Sequence, residues 1–270
     1  MILLTDELKS DLQKVALAAA DAARDVTLSY FRSPTLEAEN KDADGFDPVT
    51  RADREAELAM RAVIQQARPD DGILGEELPT VTGRSGLIWV LDPIDGTRGF
   101  ISGTPTWGTL ISVATIGGPV FGIIDQPFIK ERFIGGFGVA EVRGPHGTHP
   151  LRTRSSRALE AATLLSTFPE VGTKTEYRAF RALSERVRLT RYGMDCYGYA
   201  LLAAGQVDLV VEAGLNAYDI QAPISVIQAA GGIVSNWQGG AAYSGGQVIA
   251  AANADVHAVA LSILQDALHD

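Results

Sequence analysis

The sequence predicts a layered α/β protein, with sheets sandwiched between layers of helix. Three observations carry that expectation. Two amphipathic helical patterns open the chain. A run of strand-like segments joined by tight turns follows, between residues 87 and 137. From residue 161 onward, strand and helix patterns alternate to the end. The 270 residues allow one large domain or two small ones. A composition of 46% hydrophobic and 21% charged residues suits a folded chain with a sizeable core.

The elements follow in order. Leu8, Leu12, Val15, Ala19, Ala22, Val26 and Tyr30 recur at helical spacing, and the pattern stops before Pro34. LEAENKDADGFDP reads as a polar loop. Thr50 then reads as a helix N-cap with Asp53 three residues on, and Ala56, Met60 and Val63 share one face of a helix that ends near Pro69. GLIWVL reads as a buried strand ending at an acidic turn. In TWGTLISVATI, Trp107, Thr109, Ile111 and Val113 alternate with Leu110, Ser112 and Ala114, and PVFGIID and ERFIGGF continue an antiparallel meander. RGPHGTHP is turn-rich and places a soft boundary near residue 150, dividing 1–150 from 151–270. Beyond it AATLLST, VDLVVEA and GQVIAAAN read as strands. EYRAFRALSERV, DCYGYALLAAG, AYDIQAPISVIQAAGG and ADVHAVALSILQDAL read as helices.

Composition narrows the function. No apolar run approaches the ~18 residues of a membrane span, and MILLTDELKSDLQ lacks the basic and apolar regions of a signal peptide. Cys196 is the only cysteine, which excludes an intrachain disulfide or a cysteine metal cluster, and a reducing cytoplasm is expected. A net charge of −10 disfavours nucleic acid as a partner.

The acidic turn is DPIDGT, Asp92 to Thr97. Alone it reads as a structural turn, because Asp-Gly and Pro are turn formers. Two more acidic elements change that reading: GEE, with Glu76 and Glu77, and NAYDIQAP, with Asp219 opening a helix. Separately these suit a solvated loop and a helix-dipole partner. Lys41, DPVTRAD (Asp47 to Asp53), GEE, DPIDGT and Tyr218-Asp219 occur in that order, and together they resemble the inositol monophosphatase family. The resemblance covers nearly the whole chain. It departs at Tyr218, where the family usually carries tryptophan.

The resemblance implies an αβαβα sandwich of the sugar-phosphatase type and a homodimer. It also implies that Glu76, Asp92, Asp95, Asp219 and the carbonyl of Ile94 converge as metal ligands. An all-oxygen set favours Mg²⁺, with two or three ions per site expected from the family. Gly96 and Thr97 offer backbone N–H groups to a phosphate if a helix starts there. The expected reaction is in-line attack of water on a small phosphate monoester. Glu76 helps activate that water, and Thr97, oriented by Asp53, helps take its proton. An aspartyl-nucleophile phosphatase of the haloacid dehalogenase type is disfavoured, because two residues rather than one separate the aspartates. No P-loop is present. A non-enzymatic regulatory relative is disfavoured by the full set of acids.

The stretch RYGMDCYGYALLAAGQVDLVVE bears on the substrate and resembles the histidinol-phosphate phosphatase branch. Asp195 and Glu212 are candidate partners for the cationic end of L-histidinol phosphate, with Tyr197 or Trp107 packing on its ring. Asp195 also suits a helix N-cap, and Glu212 an exposed strand-end acid. Inositol-1-phosphate is the next expectation; sugar bisphosphates and 3′-phosphoadenosine phosphates follow. None of the four histidines is expected to bind metal.

Overall fold

The computed structural model describes residues 2–34, 36, 38–40 and 48–269. Lys41 and Asp47, with most of the expected polar loop, lie outside the described residues. The loop is bracketed by a short antiparallel pair, β1 (Ala38–Asn40) and β2 (Pro48–Thr50).

Helices α1 (Asp6–Tyr30) and α2 (Arg51–Ala67) form the first layer. Thr50 and Asp53 close a reciprocal capping box at the start of α2, as the Thr-x-x-Asp spacing predicts. The second layer is a seven-stranded sheet in sequential order: β3 (Gly72–Gly75), β4 (Ile88–Asp95), β5 (Gly108–Thr115), β6 (Gly118–Gln126), β7 (Glu131–Gly136), β8 (Val139–Gly144) and β9 (Gly147–Pro150). All neighbours in it are antiparallel except β3 and β4. The turn-rich RGPHGTHP segment is the β8–β9 hairpin. A short helix, α3 (Thr97–Ser102), sits between β4 and β5.

The second sheet has five strands: β10 (Thr163–Ser166), β11 (Leu189–Tyr192), β12 (Leu209–Leu215), β13 (Ile233–Ser235) and β14 (Gly246–Ala251), in spatial order β11-β10-β12-β14-β13. Helices α5 (Asp195–Ala203) and α6 (Ala217–Ala229) lie between the two sheets. Helices α4 (Lys174–Ser184) and α7 (Ala254–His269) cover the outer face of the second.

Three hydrophobic clusters glue these five layers. Leu12, Ala16 and Met60 meet Trp89, Ile111 and Ile123 on the outer side of the first sheet. Leu110, Ile124 and Phe133 on its inner side meet Tyr199, Ile220 and Val248. Leu209, Val211 and Ile249 meet Phe180, Ala260 and Leu264 on the far side of the second sheet. The order is therefore αβαβα. β5 is buried on both faces, which is why its side-chain alternation is apolar on each side.

Helix α6 lies directly on β6 and β7. A Cβ built at Gly135 would fall 2.3 Å from Cα of Val226, so only glycine permits this approach. That contact fixes the helix whose first turn carries Asp219.

Candidate active site

Aspartates three positions apart on a regular strand point to opposite faces. Asp92 and Asp95 do not, because β4 carries a bulge between them. Asp92 pairs with Leu110 and Asp95 with Gly108, so β4 advances three residues while β5 advances two. Thr109 Oγ1 donates to the Pro93 carbonyl at 2.8 Å and pins the bulge. The Ile94 N–H donates to Asp92 Oδ1 at 3.0 Å, and Asp92 lines the cavity.

Asp219 arrives from the opposite side, three residues into the capping box of α6. It accepts from the Asn216 N–H at 2.6 Å. One carboxylate oxygen each from Asp92, Asp95 and Asp219 lie within 4.8 Å of one another. Glu76 lines the same cavity, and its charge acts on Asp92. Burial, then the charge of Glu76, pushes the Asp92 carboxyl well above the ordinary carboxylate range. Burial, then the charge of Asp195, does the same to Asp95. Such a cluster takes up either protons or cations. Its donors are all hard oxygens, which fits Mg²⁺ rather than Zn²⁺.

Thr97 opens α3 beside this cluster. Its hydroxyl has two acceptors, the Ile94 carbonyl at 3.1 Å and Asp53 Oδ1 at 3.4 Å. The other oxygen of Asp53 accepts from the Thr50 N–H and hydroxyl at 2.8 and 2.7 Å. Burial raises Asp53 to about 6 despite these bonds.

The far wall holds Asp195 and Glu212. Asp195 does not act as an N-cap. It is the first residue of α5, behind Met194 at the cap position, and no side chain caps that helix. Its backbone sits in the left-handed region at φ 46°, which is strained for a residue with a Cβ. The cap's task falls to Asp95, which accepts from the Cys196 N–H at 2.6 Å. Asp195 accepts from Thr106 Oγ1 at 3.1 Å and packs on Gly96, where a Cβ would lie 2.7 Å from its carboxyl carbon. Gly96 is itself left-handed at φ 84°, so glycine is required there twice over. Glu212 is buried rather than exposed. It accepts from the Thr167 N–H, the Thr167 hydroxyl and the Ser166 hydroxyl, and burial raises it to about 7.

The cavity enclosed by these groups measures about 370 Å³, large enough for a small ester. Two expected residues do not line it. Trp107 is buried against the rings of Phe31 and Phe100, and Tyr197 packs on Phe133 with its hydroxyl on Glu131. The aromatic lining comes from Phe168, Tyr199 and Tyr218 instead. No histidine lines the cavity among the described residues.

Sequence reasoning passed over the support beneath Glu76. Glu57 on α2 accepts from the Glu77 N–H at 2.7 Å. It also pairs with Arg61, whose guanidinium donates to the carbonyls of Leu78 and Pro79 at 2.9 Å each. A Glu-Arg pair four apart on the buried side of α2 was the available signal.

Comparison with known proteins matches this architecture. A profile of the inositol monophosphatase family covers residues 8–269. The chain belongs to the inositol monophosphatase family. It is 40% identical over 262 residues to the chloroplastic bifunctional phosphatase IMPL2 of Arabidopsis thaliana, covering 93% of this chain and 74% of that protein. It is 34% identical over 242 residues to a histidinol-phosphatase of Mycobacterium tuberculosis, covering 87% and 91%. An inositol monophosphatase structure from Zymomonas mobilis superposes with a TM-score of 0.84 at 41% identity, covering 95% and 98%. Members of this family are metal-dependent phosphatases acting on small phosphate monoesters. No helix among the described residues is long and apolar enough to cross a membrane.

Proposed function

We propose that the protein is a Mg²⁺-dependent phosphomonoesterase that hydrolyses L-histidinol phosphate to L-histidinol and phosphate. The observation that carries the substrate is Asp195. A strained backbone, a glycine without a Cβ and a threonine hydroxyl together hold this carboxylate in the cavity beside the acidic cluster. A polyol hydroxyl also donates to such an acid, but only the ammonium of an aminoalcohol pairs with its charge as well.

Glu76, Asp92, Asp95, Asp219 and the Ile94 carbonyl are the proposed ligand set. When bound, Mg²⁺ supplies charge neutralisation at the phosphate and a water of lowered pKa. Asp53 keeps the Thr97 hydroxyl proton directed away from the cavity, so Thr97 Oγ1 accepts from the attacking water. As the water oxygen bonds to phosphorus and the ester P–O bond breaks, Thr97 takes up the water's proton and passes its own to Asp53, and the leaving alkoxide takes a proton from solvent water. At about 6, Asp53 is basic enough to receive it at neutral pH and weak enough to release it again. The backbone N–H groups following Gly96 face the phosphate oxygens. Asp195 and Glu212 receive the cationic end of the leaving alcohol.

Inositol-1-phosphate is the second reading, favoured by the likeness to the Zymomonas mobilis structure. Asp195→Asn separates the two. Loss of a charge-assisted hydrogen bond should cut kcat/KM for histidinol phosphate about ten- to a hundredfold and leave inositol-1-phosphate turnover within about twofold. Equal effects on both esters would remove Asp195 from substrate selection. A homodimer in the cytoplasm is proposed from the family resemblance, and sedimentation velocity checks the oligomeric part.

A further inference from the structure

Phe168 follows β10, lines the cavity and is 42% exposed. An exposed aromatic ring on the wall of an acidic cavity gains little from the core. Among the described residues no other ring stacks on it. Its face is covered by the guanidinium of Arg98, whose central carbon lies 4.8 Å from the ring centroid. Arg98 belongs to α3, directly after the acidic turn of the first sheet, whereas Phe168 belongs to a loop of the second. The pair therefore spans the cleft between the two sheets. The charge of Arg98 also reaches Asp195 on the same wall.

The guanidinium is a planar cation supplied by the chain itself, and it shows that this ring face accepts one. We propose that Phe168 is a specificity-determining residue whose ring is the platform on which a planar, cation-capable ring of the leaving alcohol stacks, taking the face that Arg98 covers. The inference rests on the histidinol-phosphate reading and adds to it. Asp195 and Glu212 select the amine, and Phe168 selects the imidazole. It also gives the role first expected of Trp107 or Tyr197 to a residue that reaches the cavity.

The test is steady-state kinetics of wild type, Phe168→Leu and Phe168→Tyr on L-histidinol phosphate and on ring-free inositol-1-phosphate, with Mg²⁺. Leucine keeps apolar bulk and removes the π face. Phe168→Leu should raise KM for histidinol phosphate about two- to tenfold, with kcat within about twofold. Phe168→Tyr should restore the wild-type KM, and the KM for inositol-1-phosphate should not move. If wild type prefers histidinol phosphate and Phe168→Leu keeps the same preference, the Phe168 inference fails and the histidinol reading stands. Equal KM changes on both esters also overturn the inference. If wild type hydrolyses inositol-1-phosphate and not histidinol phosphate, the histidinol reading falls and takes the inference with it.

Discussion

Asp95→Asn removes one charge from the cluster and leaves the local fold almost untouched, because asparagine's oxygen still accepts from the Cys196 N–H. At the 4.8 Å limit separating the three carboxylates, each ionised pair repels by about 3.5 kcal/mol at an effective dielectric of 20. Asp95 takes part in two such pairs, and the metal-free protein offsets the repulsion by binding protons. Even a relief of about 2 kcal/mol corresponds to a rise of about 4–8 °C in Tm for a chain of this size. In EDTA, therefore, Asp95→Asn should melt several degrees above wild type. In Mg²⁺ that lead should shrink. An ion at a hundred times its Kd stabilises wild type by about 2.7 kcal/mol, and the variant should lose most of that gain. Thermal melts in EDTA and in millimolar Mg²⁺ read both effects, and phosphate release reads the loss of turnover. A variant that melts below wild type in EDTA, or that keeps the full Mg²⁺ shift, would refute the proposed role of the cluster.

Three further predictions concern separate parts of the molecule. Asp53→Asn should lower kcat by about 10²–10⁴-fold and abolish the acid limb of the kcat–pH profile, which in wild type should rise as Asp53 loses its proton, below the metal-free value of about 6 because bound Mg²⁺ favours the carboxylate. Glu212 is raised to about 7 from an ordinary 4.5. Its contribution to stability is therefore full below pH 4.5 and is lost as pH rises through 7. That loss amounts to about 3 kcal/mol, and Glu212→Gln in EDTA should flatten the decline of Tm between pH 5 and 8. Gly135→Ala forces a Cβ into the backbone of α6. It should cost about 1–3 kcal/mol, read as a lower urea midpoint with an unchanged slope.

Much of the fold was legible because its elements obey single rules. The two long N-terminal helices show unbroken 3.6-residue periodicity, and Thr50 with Asp53 spells a capping box. Most of the strands that escaped notice, β1, β2, β3, β9, β11 and β13, are three or four residues long, too short for alternation to show, and the six-residue β8 escaped with them. The candidate site was legible in a different way. Spacing alone sends Asp92 and Asp95 to opposite faces, and only the family resemblance placed them together. The bulge that unites them depends on the β5 register and on Thr109, neither of which leaves a local mark. Asp195 looked equally suited to capping α5, because the sequence does not disclose that Asp95 has already taken that N–H. Aromatic residues near the site were visible, but which ring faces the cavity is settled by packing between distant layers. Trp107 is drawn into the cluster with Phe31 and Phe100, while Phe168 is left at the cavity wall.

The most direct test of the central claim is phosphate release by the wild-type protein from L-histidinol phosphate and from inositol-1-phosphate, each with Mg²⁺ and with EDTA. The account predicts a kcat/KM at least about tenfold higher for histidinol phosphate, with both activities abolished by EDTA. Equal or better turnover of inositol-1-phosphate would contradict the substrate assignment, and hydrolysis that survives EDTA would contradict the metal site.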